Sequence, residues 1–147
     1  MKTLDQWLSE YETSHRHPTN QKIHKLAVPS ITFSLLGLLW CAPVPSLFSA
    51  ISYLNWCTLF ALFATLFYVR LSFKWALMML LQVAFWFALI FLVNNTIKEN
   101  SWKFYSAIFL VAWVLQFIGH KIEGKKPSFF KDLLFLLIGP IWVMKSS

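Results

Sequence analysis

Four histidines are the residues in this chain best suited to metal or proton chemistry. His15, His17 and His24 fall inside Tyr11–Pro29, and His120 stands far downstream in Gln116-Phe-Ile-Gly-His120-Lys-Ile-Glu123. Neutral imidazole is the commonest metal-ligating side chain and suits iron and zinc. Three histidines with a nearby carboxylate match the donor set of mononuclear non-haem iron oxygenases. The predicted metal ligands are therefore His15, His24 and His120, with Asn20 and Glu123 as further catalytic candidates. Asn20 also reads as a helix N-cap. Glu123, set among Lys121, Lys125 and Lys126, also reads as a solvated ion pair. Asn20, Tyr11 and Gln116 are candidates to orient ligating imidazoles through hydrogen bonds. His17 is set aside, because it lies off the apolar stripe of its helix and precedes Pro18.

The elements that must bring these residues together can be read from periodicity. Residues 3–15 form a predicted amphipathic helix, opened by the capping box Thr3-Leu-Asp-Gln6. Leu4, Trp7, Leu8 and Tyr11 follow the i, i+3, i+4, i+7 pattern, and His15 comes one turn after Tyr11. Such a helix would lie on a membrane surface, with Trp7 and Tyr11 at headgroup level. The residue before a proline disfavours the α conformation, so the helix is predicted to end near Arg16 or His17, with Asn20 capping the next. The break matters. In one unbroken helix His15 and His24 would sit roughly 180° apart around the axis.

Five apolar segments follow, at about 26–42, 47–69, 75–93, 102–119 and 129–144. Asp132 stands near the start of the last, which holds Gly139-Pro140. That segment reads as a tilted span or as a re-entrant or interfacial helix. Asn55 and Gln82 within the segments are expected to bond between helices.

The chain is 58% hydrophobic and 13% charged, whereas soluble domains carry about a quarter charged residues. The fold class expected is all-α: a single integral membrane domain over residues 1–147, of four to five transmembrane helices with an N-terminal amphipathic helix. With five spans and the N-terminus inside, ten of the thirteen basic residues fall on the inner side, leaving Lys98, Lys103 and Lys145 outside. The excess of basic residues inside sets that orientation. It places all the candidate ligands on the cytoplasmic face of a bacterial inner membrane or an ER-type membrane. The first residues are too polar for a cleavable signal peptide. Cys41 and Cys57 read as small buried hydrophobes.

Several functions are disfavoured. No large polar region offers a nucleic-acid face, so the net charge of +7 is assigned to the membrane edge. There is no glycine-rich phosphate loop, GxSxG or HExxH. The spans hold almost no charge, which argues against a proton relay or pump. Four histidines are too few for a histidine-box diiron desaturase.

The two histidine stretches resemble those of the 2-hydroxy fatty acid dioxygenase family of small integral membrane proteins, which act in fatty acid α-oxidation. The first pattern stands here as Tyr11, His15, Pro18, Asn20, His24 and Pro29. The second is Gln116-Phe-Ile-Gly-His120, then Glu123, Lys125-Lys126 and Pro127. Ala27 and Ser128 depart from the glycine and alanine usual in the family. The resemblance implies an Fe(II)-dependent dioxygenase that uses O2 to cut a 2-hydroxy fatty acid to CO2 and the acid one carbon shorter. His15, His24 and His120 would hold the iron. Charge, rather than the resemblance, suggests Lys25, Lys121, Lys125 or Lys126 to attract the substrate carboxylate. The competing readings are a zinc-dependent membrane lipid hydrolase on the same site, and a haem-binding or non-catalytic membrane protein. Oligomeric state is not legible.

Overall fold

Apolar residues at helical spacing, interrupted by Pro, Gly and Asn, lead one to expect helices joined by short turns, and the computed structural model has that form. It describes residues 2–131 and 133–146; Asp132 lies outside them. The described residues form six α-helices and no strand: α1 Leu4–Glu12, α2 Pro18–Cys41, α3 Trp56–Leu71, α4 Phe73–Ile97, α5 Ser101–Glu123 and α6 Phe135–Ser146. Two stretches, Pro18–Cys41 and Phe73–Glu123, are long and apolar enough to cross a membrane. The second is interrupted at Lys98, whose φ of 47° ends α4.

The chain divides into two units, Met1–Thr32 with Phe109–Ser147, and Phe33–Ile108. In the first, the capping box of α1 is present as predicted, with Thr3 and Gln6 exchanging hydrogen bonds. The helix stops at Glu12, however, short of the predicted Arg16 or His17. Thr13 Oγ1 donates to Glu10 O and Ser14 Oγ to Tyr11 O, and the amides of residues 13–15 bond to carbonyls three residues back. Side chains that compete for backbone groups, together with this tighter winding, end the α-helix before the proline can.

Trp7, Leu8 and Tyr11 are buried. They face α6 rather than a membrane interface: the Trp7 and Phe135 rings meet edge-on at 5.0 Å, and Tyr11 and Trp142 lie 5.5 Å apart. An edge-on aromatic pair contributes about 0.5–1.5 kcal/mol beyond its area. α6 has only 12 residues, a length of about 18 Å at 1.5 Å per residue, so it is too short to cross a hydrocarbon core of about 30 Å. It buries Phe135 and every residue from Ile138 to Val143, more than a single stripe. A second apolar cluster joins Ala27 and Ile31 of α2 to Ala112 of α5.

α5 runs past the predicted end at Gly119 through His120 to Glu123. Its C-terminus is closed by Gly124 at φ +72°, with Gly124 N bonded to Lys121 O and Lys125 N to His120 O. This paired arrangement requires a left-handed residue, which glycine supplies without a Cβ penalty.

In the second unit, α3 begins at Trp56 rather than near Leu47, because Asn55 caps it in a reciprocal box with Thr58. Asn55 is thus a cap, not an interhelical bond. Residues Ser46–Ala50 form a 3₁₀ turn instead. α3 and α4 pack together, and Leu36, Cys57, Ile90 and Tyr105 form the core, with the Tyr105 hydroxyl donating to Asn94 Oδ1 at 3.1 Å. Cys41 is exposed, against expectation. Phe63, Leu81, Phe91 and Leu92 are more than half exposed. Such an apolar surface is unusual where water is the solvent.

Candidate metal centre

The first unit contains every predicted ligand. α1 ends in the turn that carries His15, Pro18 opens α2 and places His24 in its second turn, and the extended α5 places His120 one turn before its end. Pro18 suits the first helical position, where its missing N–H costs nothing. His17 is the cap: its carbonyl accepts Gln21 N, and its Nδ1 accepts Thr19 N at 3.2 Å. Asn20 therefore lies inside the first turn of α2, and its predicted role as N-cap is corrected. His17 itself is exposed and belongs to no metal-competent group among the described residues.

His15, His24 and His120 are all buried, and one nitrogen from each lies within 4.8 Å of the other two. The ring centroids are 4.4 Å apart for His15–His24, 4.9 Å for His15–His120 and 4.8 Å for His24–His120, with neighbouring rings close to perpendicular. Three imidazoles thus meet at one point from three elements.

The hydrogen bonds define which nitrogens face that point. His15 Nδ1 lies 2.6 Å from Tyr11 O, and His24 Nδ1 lies 3.0 Å from Asn20 O. A carbonyl only accepts, so each Nδ1 carries the proton and each Nε2 presents a lone pair. Bonding of the remote imidazole N–H to a carbonyl is the usual arrangement for a ligating histidine. His24 Nε2 lies 3.1 Å from His120 Nε2. Two nitrogens bound to one ion at ~2.1 Å stand about 3–3.5 Å apart in octahedral or tetrahedral geometry.

His15 Nε2 is buried with no hydrogen-bond partner. An unsatisfied buried acceptor costs about 1–3 kcal/mol, and an ion is one of the accepted explanations for such a group. The donor set therefore fits a divalent first-row metal. Burial, the largest effect, pushes the His15 imidazole down to about 4, with the neighbouring His120 acting in the same direction; the Tyr11 carbonyl and Glu123 oppose it. His15 is thus neutral near pH 7, as a ligand must be.

Around the histidines, the Tyr11 ring stacks on His15 at 4.0 Å and 6° between planes, and Trp142 packs on the same imidazole at 5.3 Å. Gln116 is buried one turn before His120. Asn20 is fully buried; its Nδ2 donates to Ser14 O at 3.1 Å and to Glu123 Oε2 at 3.2 Å. Glu123 also accepts from Arg16 N at 3.0 Å and His17 N at 2.7 Å, so it makes neither the predicted lysine ion pair nor, among the described residues, a contribution to the metal-competent group.

Two of the lysines expected to draw in a carboxylate are already engaged. Lys25 Nζ donates to Ser146 O and Lys125 Nζ to Thr13 O, where a cation suits carbonyls at a helix end. Sequence reasoning missed three supports of the site. Ser14 and Ser128 share a hydrogen bond, so the serine that departs from the family pattern is paired here. Gln21 Nε2 donates to His15 O at 2.9 Å. Trp142 carried one usable signal, its seven-residue spacing from Phe135, which puts both on one face.

Comparison with known proteins agrees in kind. A family model described as "2-hydroxy-palmitic acid dioxygenase Mpo1-like" matches residues 1–147. The 2-hydroxy-palmitic acid dioxygenase MPO1 of Saccharomyces cerevisiae is 27% identical over 140 residues, covering 93% of this chain and 75% of the relative. No solved structure matches.

Proposed function

The chain belongs to the Mpo1-like family, and from that premise we propose that it is an Fe(II)-dependent dioxygenase of 2-hydroxy fatty acids. The observation that carries the reading is the convergence of three buried imidazoles, two of them with protonation fixed by backbone carbonyls, in a member of a family described by a dioxygenase name. His15, His24 and His120 would hold the iron. Bound there, the ion would supply redox chemistry with O2 and an anchor for the vicinal hydroxyl and carboxylate of the substrate.

The overall reaction joins R–CH(OH)–COOH and O2 to give R–COOH, CO2 and H2O. The bond between the carboxyl carbon and C2 breaks, C2 is oxidised to the new carboxyl, and O2 is the oxidant. The protein's own part is to keep its imidazoles neutral and fixed. The carbonyls of Tyr11 and Asn20 hold the Nδ1 protons, while the Tyr11 ring and Trp142 cover His15 on the α1 and α6 sides. Of the basic residues first considered for the substrate carboxylate, Lys121 and Lys126 are the exposed pair that caps no carbonyl among the described residues.

We place the protein in a membrane as a single domain of four spans, α6 packing on α1 rather than crossing, with the N-terminus and the site on the cytoplasmic side. Support comes from the two long apolar stretches, the exposed large apolar side chains of α3 and α4, and the clustering of basic residues at one set of ends. A substrate dissolved in the bilayer would then reach the site without leaving lipid.

The test is a product assay. Protein purified without oxygen and loaded with Fe(II) is expected to convert 2-hydroxypalmitate to the acid one carbon shorter, with one O2 consumed per CO2 released. Prior chelation should stop it. Hydrolysis of a lipid ester with zinc bound and no O2 uptake would replace this reading with the hydrolase.

A further inference from the structure

Glu123 stands on the last turn of α5, just before the left-handed Gly124 that ends the helix. Both of its oxygens are engaged by the turn between α1 and α2. Oε1 accepts Arg16 N at 3.0 Å; Oε2 accepts His17 N at 2.7 Å and Asn20 Nδ2 at 3.2 Å. Hydrogen bonds to an ionised acceptor are about twice as strong as neutral ones. A carboxylate at the start of α2 also meets the positive end of that helix.

These partners surround a ligand. Arg16 follows His15. The Asn20 amide that donates to Glu123 also donates to Ser14 O, on the other side of His15. Gln21 holds the His15 carbonyl itself. The Asn20 main-chain carbonyl in turn receives His24 Nδ1. His120 is one turn before Glu123 on the same helix. One side chain therefore touches the segments that carry all three imidazoles.

Resting on the metal reading above, we infer that Glu123 is a positioning residue: its carboxylate clamps the α1–α2 turn onto the end of α5, sets His15 and His24 against His120, and does not itself ligate the metal. Glutamine cannot replace it. An amide has one acceptor oxygen, and its NH2 would face one of the two backbone N–H groups that the carboxylate now receives. Aspartate keeps the charge and both acceptors but is shorter by one methylene, so it restores the clamp in part.

Two measurements on the full chain test this. The first is hydrogen exchange of metal-free protein. In Glu123→Gln the amides of Arg16 and His17 should exchange at least about tenfold faster than in wild type, with Glu123→Asp between them. The second is Co(II) binding followed by visible absorption. At saturation Glu123→Gln and Glu123→Asp should show the wild-type band envelope, because the ligands are unchanged. The affinity of Glu123→Gln should fall by about 10–100-fold, as it does when a residue that orients a ligand is lost. An altered envelope at saturation would make Glu123 a ligand and overturn the inference. Unchanged exchange at residues 16 and 17 would overturn the clamp alone. A wild-type chain that takes up no Co(II) would overturn the metal reading on which the inference rests. Should Glu123→Gln fail to fold, Glu123→Asp decides by the same two signals.

Discussion

Replacing His24 with alanine is expected to lower turnover of a 2-hydroxy fatty acid by more than about a hundredfold, since even residues that only orient a ligand are worth 10–100-fold. His24 is fully buried, its Nδ1–H is committed to Asn20 O, and its Nε2 faces His120 at 3.1 Å. Alanine would remove one of three nitrogens and leave a gap beside the His15 and His120 rings. The fold should survive, because α2 is held through Ala27 and Ile31 on α5, so circular dichroism should stay helical while activity is lost. Full activity in His24→Ala would remove this histidine from the site.

The second large effect is expected at Gly119. A Cβ built there would run into Asn20 Oδ1 and would lie 3.4 Å from Ile23 Cγ2. The residue that must give way is the one that joins Ser14, Glu123 and His24, and the residue beside Gly119 is His120. Gly119→Ala should therefore cost about 1–3 kcal/mol in stability from overpacking and weaken metal binding about 10–100-fold. Gly124→Ala is the matched control. Its Cβ meets nothing within 4 Å, but φ is +72°, so it should cost about 1–2 kcal/mol from the left-handed backbone and leave metal affinity unchanged. Thermal unfolding and metal titration of both variants check this. Equal metal affinity in the two would show that the close approach of α2 and α5 at Gly119 does not shape the site.

The grouping of His15, His24 and His120 was legible because the histidines stand only in the two polar stretches that flank the apolar segments, and a turn at Pro18 lets His15 and His24 face one point. The capping box at Thr3 and Gln6 was legible because it is a local pattern. The end of α1 was not. Thr13 and Ser14 close it through their own hydroxyls, a competition that helical periodicity cannot register. Asn20 looked like a cap because Asn is a good one, but a proline at the first helical position moved the cap to His17 and freed the Asn20 amide for Ser14 and Glu123. Glu123 was misread for a similar reason. Lysines close in sequence suggested an ion pair, whereas its partners are two backbone N–H groups and the Asn20 side-chain amide, all more than a hundred positions away. α6 was the least legible, since an apolar segment reads alike whether it spans a bilayer or packs on α1.

If His15, His24 and His120 together hold one iron, elemental analysis of protein purified anaerobically in the presence of Fe(II) will show it. About one iron per chain is expected in the wild type, with little or none in the His24→Ala, His120→Ala double variant. Iron retained by the double variant, or no metal retained by a wild-type chain that is folded, would contradict it.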